Sequence, residues 1–264
     1  MFHSNQYALL KGGQKNRVCP IFQGAPHAQS INPAQPIALV LGITGGYGKA
    51  MAQALLSQGW TLRALVRDLA RAQETLPAQI VEAVAFTEGD VFDRGPLEQA
   101  AQGVDVIVHG INLPQPEWPK RMLPVAQRVI EAARVNRATI AYPGNVYPFA
   151  PGTSITPDTP MQPPQEKGHL RVQVAQALAQ ASAQGVQVIT LRAGDFFGLG
   201  HASSWMKHIL QKARAGGPLQ VPAHPNIRHA WAYLPDLAHA HVQLLEQRHT
   251  PLGEALRREL EAAG

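Results

Sequence analysis

The chain has 264 residues, 45% of them hydrophobic and 16% charged, with a formal charge of +5 and a pI near 9.6. That is the composition of a soluble globular protein, one large domain or two small ones. Its Lys and Arg residues are scattered, with no basic block or basic–aromatic alternation to suggest nucleic acid. Cys19 is the only cysteine, which excludes an internal disulfide and fits a reducing cytoplasm. No apolar run approaches the ~20 residues of a bilayer span, and the N-terminal MFHSNQYALLKGG lacks the apolar core of a signal peptide. A cytoplasmic protein is expected, with a small-molecule ligand and neither nucleic acid nor membrane as partner.

In chain order, residues 1–36 are rich in Gln, Asn, Gly and Pro, show no periodicity, and read as a poorly ordered extension. Ile37–Leu41 is an uncharged apolar run, as in a parallel strand buried on both faces. It runs into Gly42, Gly45 and Gly48, with Thr44, Gly46 and Tyr47 completing the loop, and then into a helix over Lys49–Gln58 that ends at Gly59. Strand, glycine turn and helix in that order suit a pyrophosphate. Gly42 permits the sharp turn, Gly45 the close approach of backbone N–H groups, and Gly48 close packing of helix on strand. The phosphate charge then meets the positive end of the helix. An ordinary glycine-rich βα turn is the plainer alternative.

The alternation continues. Strands are expected at Thr61–Val66, Val81–Phe86, Val104–His109, Ala138–Tyr142 and Val186–Leu191. Helices are expected near Leu69 and over 95–102, 119–136 and 167–184. Further on come a helix near 203–215, strand-like segments at 219–221 and 228–233, and a helix at 235–247. Five or six strands alternating with helices imply an α/β, Rossmann-type doubly wound parallel sheet. The proline-rich loop 143–164 is longer than a simple connector needs.

The end of the second strand indicates which dinucleotide is held. An acidic residue there binds a ribose 2′-hydroxyl, and an arginine accommodates a 2′-phosphate. Arg67 stands 19 residues after Gly48, and its guanidinium can clamp a phosphate. NADP is therefore favoured, with NAD as the alternative if the next residue, Asp68, serves the ribose. Asp90 and Val91 are placed to meet the adenine, and His109, Gly110 and Ile111 to line the cofactor groove. Eleven histidines are present, but none shows metal-ligand spacing with a carboxylate, and no metal is expected.

The glycine loop, Gly89-Asp90, VDVIVHGIN at 104–112, PGNVYPF at 143–149, LRAGDFFG at 191–198 and YLPDLAHA at 233–240 occur in an order that resembles the short-chain dehydrogenase/reductase superfamily. The chain is most similar to its extended, NAD(P)-dependent epimerase/dehydratase-like branch, over roughly residues 37–247. The resemblance implies a Rossmann domain over 37–250 with a small C-terminal substrate lobe supplied mainly by 193–232. The chain closes with a charged amphipathic tail at 251–264 in place of further elements. That implies an abbreviated lobe with an open pocket, or one completed by a partner subunit as in a homodimer.

The resemblance also implies a Tyr-x-x-x-Lys pair on the helix after the fifth strand, the tyrosine exchanging a proton and the lysine lowering its pKa and binding ribose. Here that helix carries Lys167 and Arg171 at the matching positions and no tyrosine. Arg171 can still bind ribose or pyrophosphate but stays protonated. Lys167 can move a proton only if its pKa is drawn down. Pro143-Gly144-Asn145 replaces the usual serine segment, leaving Asn145 to donate to a substrate carbonyl. Tyr147 is the nearest phenol, with proton transfer or packing as its roles, and Asp195 can contact substrate or serve its loop. Two functions follow: an NADP-favouring epimerase- or oxidoreductase-like enzyme acting on a small carbonyl or sugar-nucleotide-like substrate, or a non-catalytic NADP-binding redox sensor.

Overall fold

A computed structural model describes residues 35–156, 158–198, 205–216 and 229–250. The N-terminal extension up to residue 34, the segment expected as a strand at 219–221 and the charged tail at 251–264 lie outside the described residues. The chain runs β1 (Ile37–Leu41), α1 (Gly46–Ser57), β2 (Thr61–Val66), α2 (Leu69–Thr75), α3 (Ala78–Ala83), β3 (Val84–Glu88), α4 (Arg94–Ala101) and β4 (Val106–His109). It continues with α5 (Trp118–Asn136), β5 (Thr139–Gly144), α6 (Glu166–Ala183), β6 (Val188–Arg192), β7 (Asp195–Phe197), α7 (Trp205–Arg214), β8 (Trp231–Tyr233) and α8 (Leu234–Glu246).

Six strands form one sheet in the order β3-β2-β1-β4-β5-β6, every adjacent pair parallel. This is the dinucleotide-binding order, with its switch point between β1 and β4. β7 and β8 make a separate parallel pair inside the segment expected as the substrate lobe. The central strands are uncharged because both faces are covered. Alternate residues of β1 divide between two cores. Ala38 and Val40 face Met51 and Leu55 of α1 and Leu237 and Val242 of α8, while Leu39 and Leu41 face Leu97 of α4 and Val125 and Val129 of α5. α1 is packed between the sheet and α8, so its polar face narrows to the line of Lys49, Gln53 and Ser57.

The expected elements appear with small shifts except at the third strand. Ala78–Ala83 is helical and the strand starts at Val84, so the expected span 81–86 straddles the junction. Pro77 opens that helix and Ile80 is buried against the core, so tertiary packing overrides the β-branched run. β5 continues past Tyr142 through Pro143 to Gly144, pairing with β6 as far as Arg192.

Candidate functional site

Two of the three loop glycines are sterically obligatory. Gly42 has φ +77, and a Cβ there would stand 2.5 Å from the Gly110 carbonyl oxygen. A Cβ on Gly48 would run into the carbonyl of Gly42. β1, the end of β4 and the first turn of α1 therefore meet backbone to backbone. The Gly45 N–H donates to the Gly42 carbonyl (2.9 Å), and Gly110 N–H donates to Leu41 (3.0 Å). Gly45 caps α1 without any side-chain hydrogen bond, and no acidic residue lies in the first turn. Thr44 and Gly45 are exposed and Gly46 half-buried at this open end. Such a cradle fits a pyrophosphate: close backbone approach, N–H groups without a side-chain cap, and no competing carboxylate.

Tyr47 contributes only its backbone here. Its side chain is buried and turned inward, the phenol oxygen 2.7 Å from His241 Nδ1 on α8. His241 Nε2 lies 3.2 Å from the Ile189 carbonyl. The consistent tautomer has Nε2–H donating to that carbonyl and Nδ1 accepting from the Tyr47 hydroxyl. Burial pushes the phenol up and lowers His241 to about 4. The pair ties α1, α8 and β6 together.

At the adenosine end, Arg67 is exposed immediately after β2. Asp68 is already committed: its Oδ1 accepts from the Arg71 N–H (2.9 Å) and caps α2. Glu88 accepts from the Leu69 N–H (3.0 Å). The Asp90 carboxylate accepts from Phe92 N–H (3.1 Å) and lies 3.8 Å from Arg121, and Val91 is buried beside it. Asp90 thus shapes the turn after β3.

The far side of the edge is built from side chains. His109, at the end of β4, is buried, and its Nδ1 has no hydrogen-bond partner. Burial, with Arg171 nearby, lowers it to about 4. Its ring lies 5.3 Å from that of Tyr142. Arg171 on α6 donates from Nη1 to the Tyr142 hydroxyl (3.1 Å) and stacks 4.5 Å over the Trp118 ring. Tyr142 and Trp118 were not singled out by the sequence. A strand tyrosine and a helix-start tryptophan become site residues only because β5, α5 and α6 converge.

Tyr147 is exposed, and its N–H donates to Asn145 Oδ1 (3.2 Å). Asn145's carbonyl accepts from Arg192 (3.3 Å). Burial raises the Tyr147 phenol, Asp195 raises it further and Arg171 opposes them. Asp195 is 2.7 Å from His229 Nε2 across the β7–β8 pair. Lys167 is exposed at the start of α6. A Cβ on the next residue, Gly168, would strike the Tyr147 carbonyl, so the start of α6 lies directly against the Tyr147 backbone. The structure therefore gathers Asn145, Tyr147, Arg171 and Asp195 around one end of the sheet, with Lys167 at the margin. Among the described residues no helix is long and apolar enough to cross a membrane, and no three His, Cys, Asp or Glu side chains cluster as metal ligands would.

The strand order and the glycine cradle at its switch point define a doubly wound protein of the dinucleotide-binding class. The chain belongs to the NAD dependent epimerase/dehydratase family, whose model matches residues 38–256. No curated protein matches it. Among solved structures it is similar to UDP-glucose 4-epimerase from Brucella ovis in complex with NAD, with TM-score 0.64 and 18% identity over 83% of this chain and 74% of that one. UDP-N-acetylglucosamine 4-epimerase from Methanobrevibacter ruminantium M1 gives TM-score 0.66 and 14% identity over 79% and 72%. Pen from Bacillus thuringiensis gives 0.61 and 14% over 80% and 66%, so this chain spans just under two thirds of its length. At these identities the likeness carries the fold.

Proposed function

We propose that this protein binds a nicotinamide dinucleotide, NADP in preference to NAD, and reduces or epimerises a small carbonyl or sugar-nucleotide-like substrate. The family match and the cradle of Gly42, Gly45 and Gly48 support the dinucleotide. The observation that carries the NADP preference is the division of labour after β2. Asp68 is held by the Arg71 N–H, whereas Arg67 is exposed with its guanidinium available for a 2′-phosphate. When bound, the cofactor supplies hydride chemistry. Thr44, Gly45, Gly46 and the backbone of Tyr47 would hold its pyrophosphate, and His109 and Gly110 would line the groove beyond.

Proton transfer falls to Tyr147. Its phenol is held in the protonated form by burial and by Asp195, so it serves as a donor to a developing alkoxide. Asn145 fixes the backbone of that turn, and Lys167 lies at the margin. Competing titrations of NADPH and NADH test the cofactor reading: NADPH should bind at least tenfold more tightly, and Arg67→Ala should erase the difference. Equal affinities in the unaltered protein would refute the preference. A panel of carbonyl compounds with NADPH tests the activity, with Tyr147→Phe lowering any turnover by ~10²-fold or more.

A second reading, a non-catalytic NADP-binding sensor, is favoured by one observation. Arg171 stands where the family's pKa-lowering lysine is expected, yet its hydrogen bond goes to Tyr142 and the Tyr147 phenol is raised overall. Tight NADPH binding without turnover on the panel would select it.

A further inference from the structure

Between the ends of β4 and β5 and helices α5 and α6 lies a cleft of about 20 Å³, room for about one water molecule or the head of a small ligand. His109, Asn112, Tyr142 and Arg171 line it together with the apolar Leu113, Met122, Val125 and Val174. Its polar groups offer more than the protein uses. His109 is 5% exposed, and neither its Nδ1 nor Arg171 Nε has a hydrogen-bond partner. Arg171 Nη1 is spent on Tyr142, and one guanidinium face on Trp118. Among the described residues Arg171 has no carboxylate in ion-pair range; the ion pairs involve Arg121, Arg134 and His229. A partly buried guanidinium with an idle Nε and no counter-charge is costly unless an anion completes it.

We propose that this cleft binds the carboxylate of a short-chain acid, and that this acid is the carbonyl substrate itself. The free Nε/Nη2 edge of Arg171 matches the two oxygens of a planar carboxylate. The Tyr142 hydroxyl, accepting from Nη1, keeps its own proton to donate. His109 can donate from Nδ1 in one tautomer. The apolar walls suit the short carbon stem behind such a carboxylate, the head alone filling the cleft. The inference rests on the oxidoreductase reading above but assigns Arg171 to substrate instead of cofactor ribose.

Calorimetric titration of the full-length protein with sodium acetate, sodium pyruvate and inorganic phosphate, at ionic strength held constant with sodium chloride, tests this directly. Acetate and pyruvate should bind saturably in the millimolar range and phosphate more weakly. Arg171→Gln should weaken acetate binding at least tenfold while changing NADPH affinity less than threefold. Tyr142→Phe, the milder change, should weaken acetate several-fold and decides the matter if Arg171→Gln fails to fold by circular dichroism. Absence of saturable acetate binding, phosphate binding more tightly than acetate, indifference of acetate binding to both variants, or joint loss of NADPH and acetate in folded Arg171→Gln would each overturn the assignment. Acetate binding without NADPH binding in the unaltered protein would instead refute the cofactor reading and leave the anion site standing.

Discussion

The two ends of the candidate site are built by opposite means. At the glycine end, β1, β4 and α1 touch through backbone atoms, and little latitude remains: Gly42, Gly48 and Gly110 sit where a Cβ would overlap a carbonyl. At the β5–α6 end, position is set by side chains reaching across space, Arg171 to Tyr142 and Trp118, and Arg192 to the Asn145 carbonyl. The first construction yields a fixed shape, one that fits a group common to all dinucleotides. The second can change its chemistry by changing one side chain.

The largest predicted effect follows from the rigid end. Gly42→Ala places a methyl 2.5 Å from the Gly110 oxygen at a φ of +77. Overpacking and left-handed strain together should cost about 4 kcal/mol, read as a lower urea midpoint, with loss of NADPH binding. A variant as stable as the parent would show that the β1–β4 contact is looser than the structure has it.

Next in size is an acid sensitivity shared by both ends. His241 and His109 are each lowered from 6.5 to about 4 when folded. The unfolded chain therefore binds more protons between those values. Stability is full above pH ~6.5 and falls as the pH drops toward ~4, by at most about 3 kcal/mol for each histidine. Denaturant midpoints at pH 7.5 and 4.5 should fall accordingly, and less steeply in His241→Gln. If His109→Gln alone flattened the profile, the α1–α8 link would not be the acid-labile one. Tyr47→Phe removes the donor to His241 Nδ1 and should cost about 1–2 kcal/mol in urea unfolding at pH 7.5, with NADPH affinity unchanged. A large loss of NADPH affinity would return the Tyr47 side chain to the cofactor site.

The same contrast explains what could be read from the residues alone. The βα alternation, the sheet and the glycine cradle were legible because buried parallel strands need continuous apolar runs and close backbone contacts need glycine at fixed spacing. The cluster of His109, Tyr142, Trp118 and Arg171 was not, since its members lie on two strands and two helices far apart in the chain, and no local pattern marks their meeting. Tyr47 shows the limit from the other side. Its place in the loop suggested the cofactor, but its side-chain direction was decided by His241, 194 residues away. The third strand was misplaced because Val81 has strand character that Pro77 and the burial of Ile80 override.

The smallest predicted effect bears on whether the side-chain end transfers protons through the helix position or through the loop. Lys167 is exposed on the first turn of α6, beside Gly168, which is pressed against the Tyr147 backbone. Lys167→Ala removes a solvated side chain and should shift stability by no more than about 0.5 kcal/mol. If Tyr147 carries the proton, Lys167→Ala should leave any NADPH-dependent turnover within about threefold of the parent, while Tyr147→Phe lowers it by ~10²-fold. Stopped turnover in Lys167→Ala, with NADPH affinity and unfolding midpoint intact, would move the proton to the lysine. The acid/base would then occupy the helix position after all, and the side-chain end would depart from the expected tyrosine in the side chain, and not in the element, that performs the chemistry.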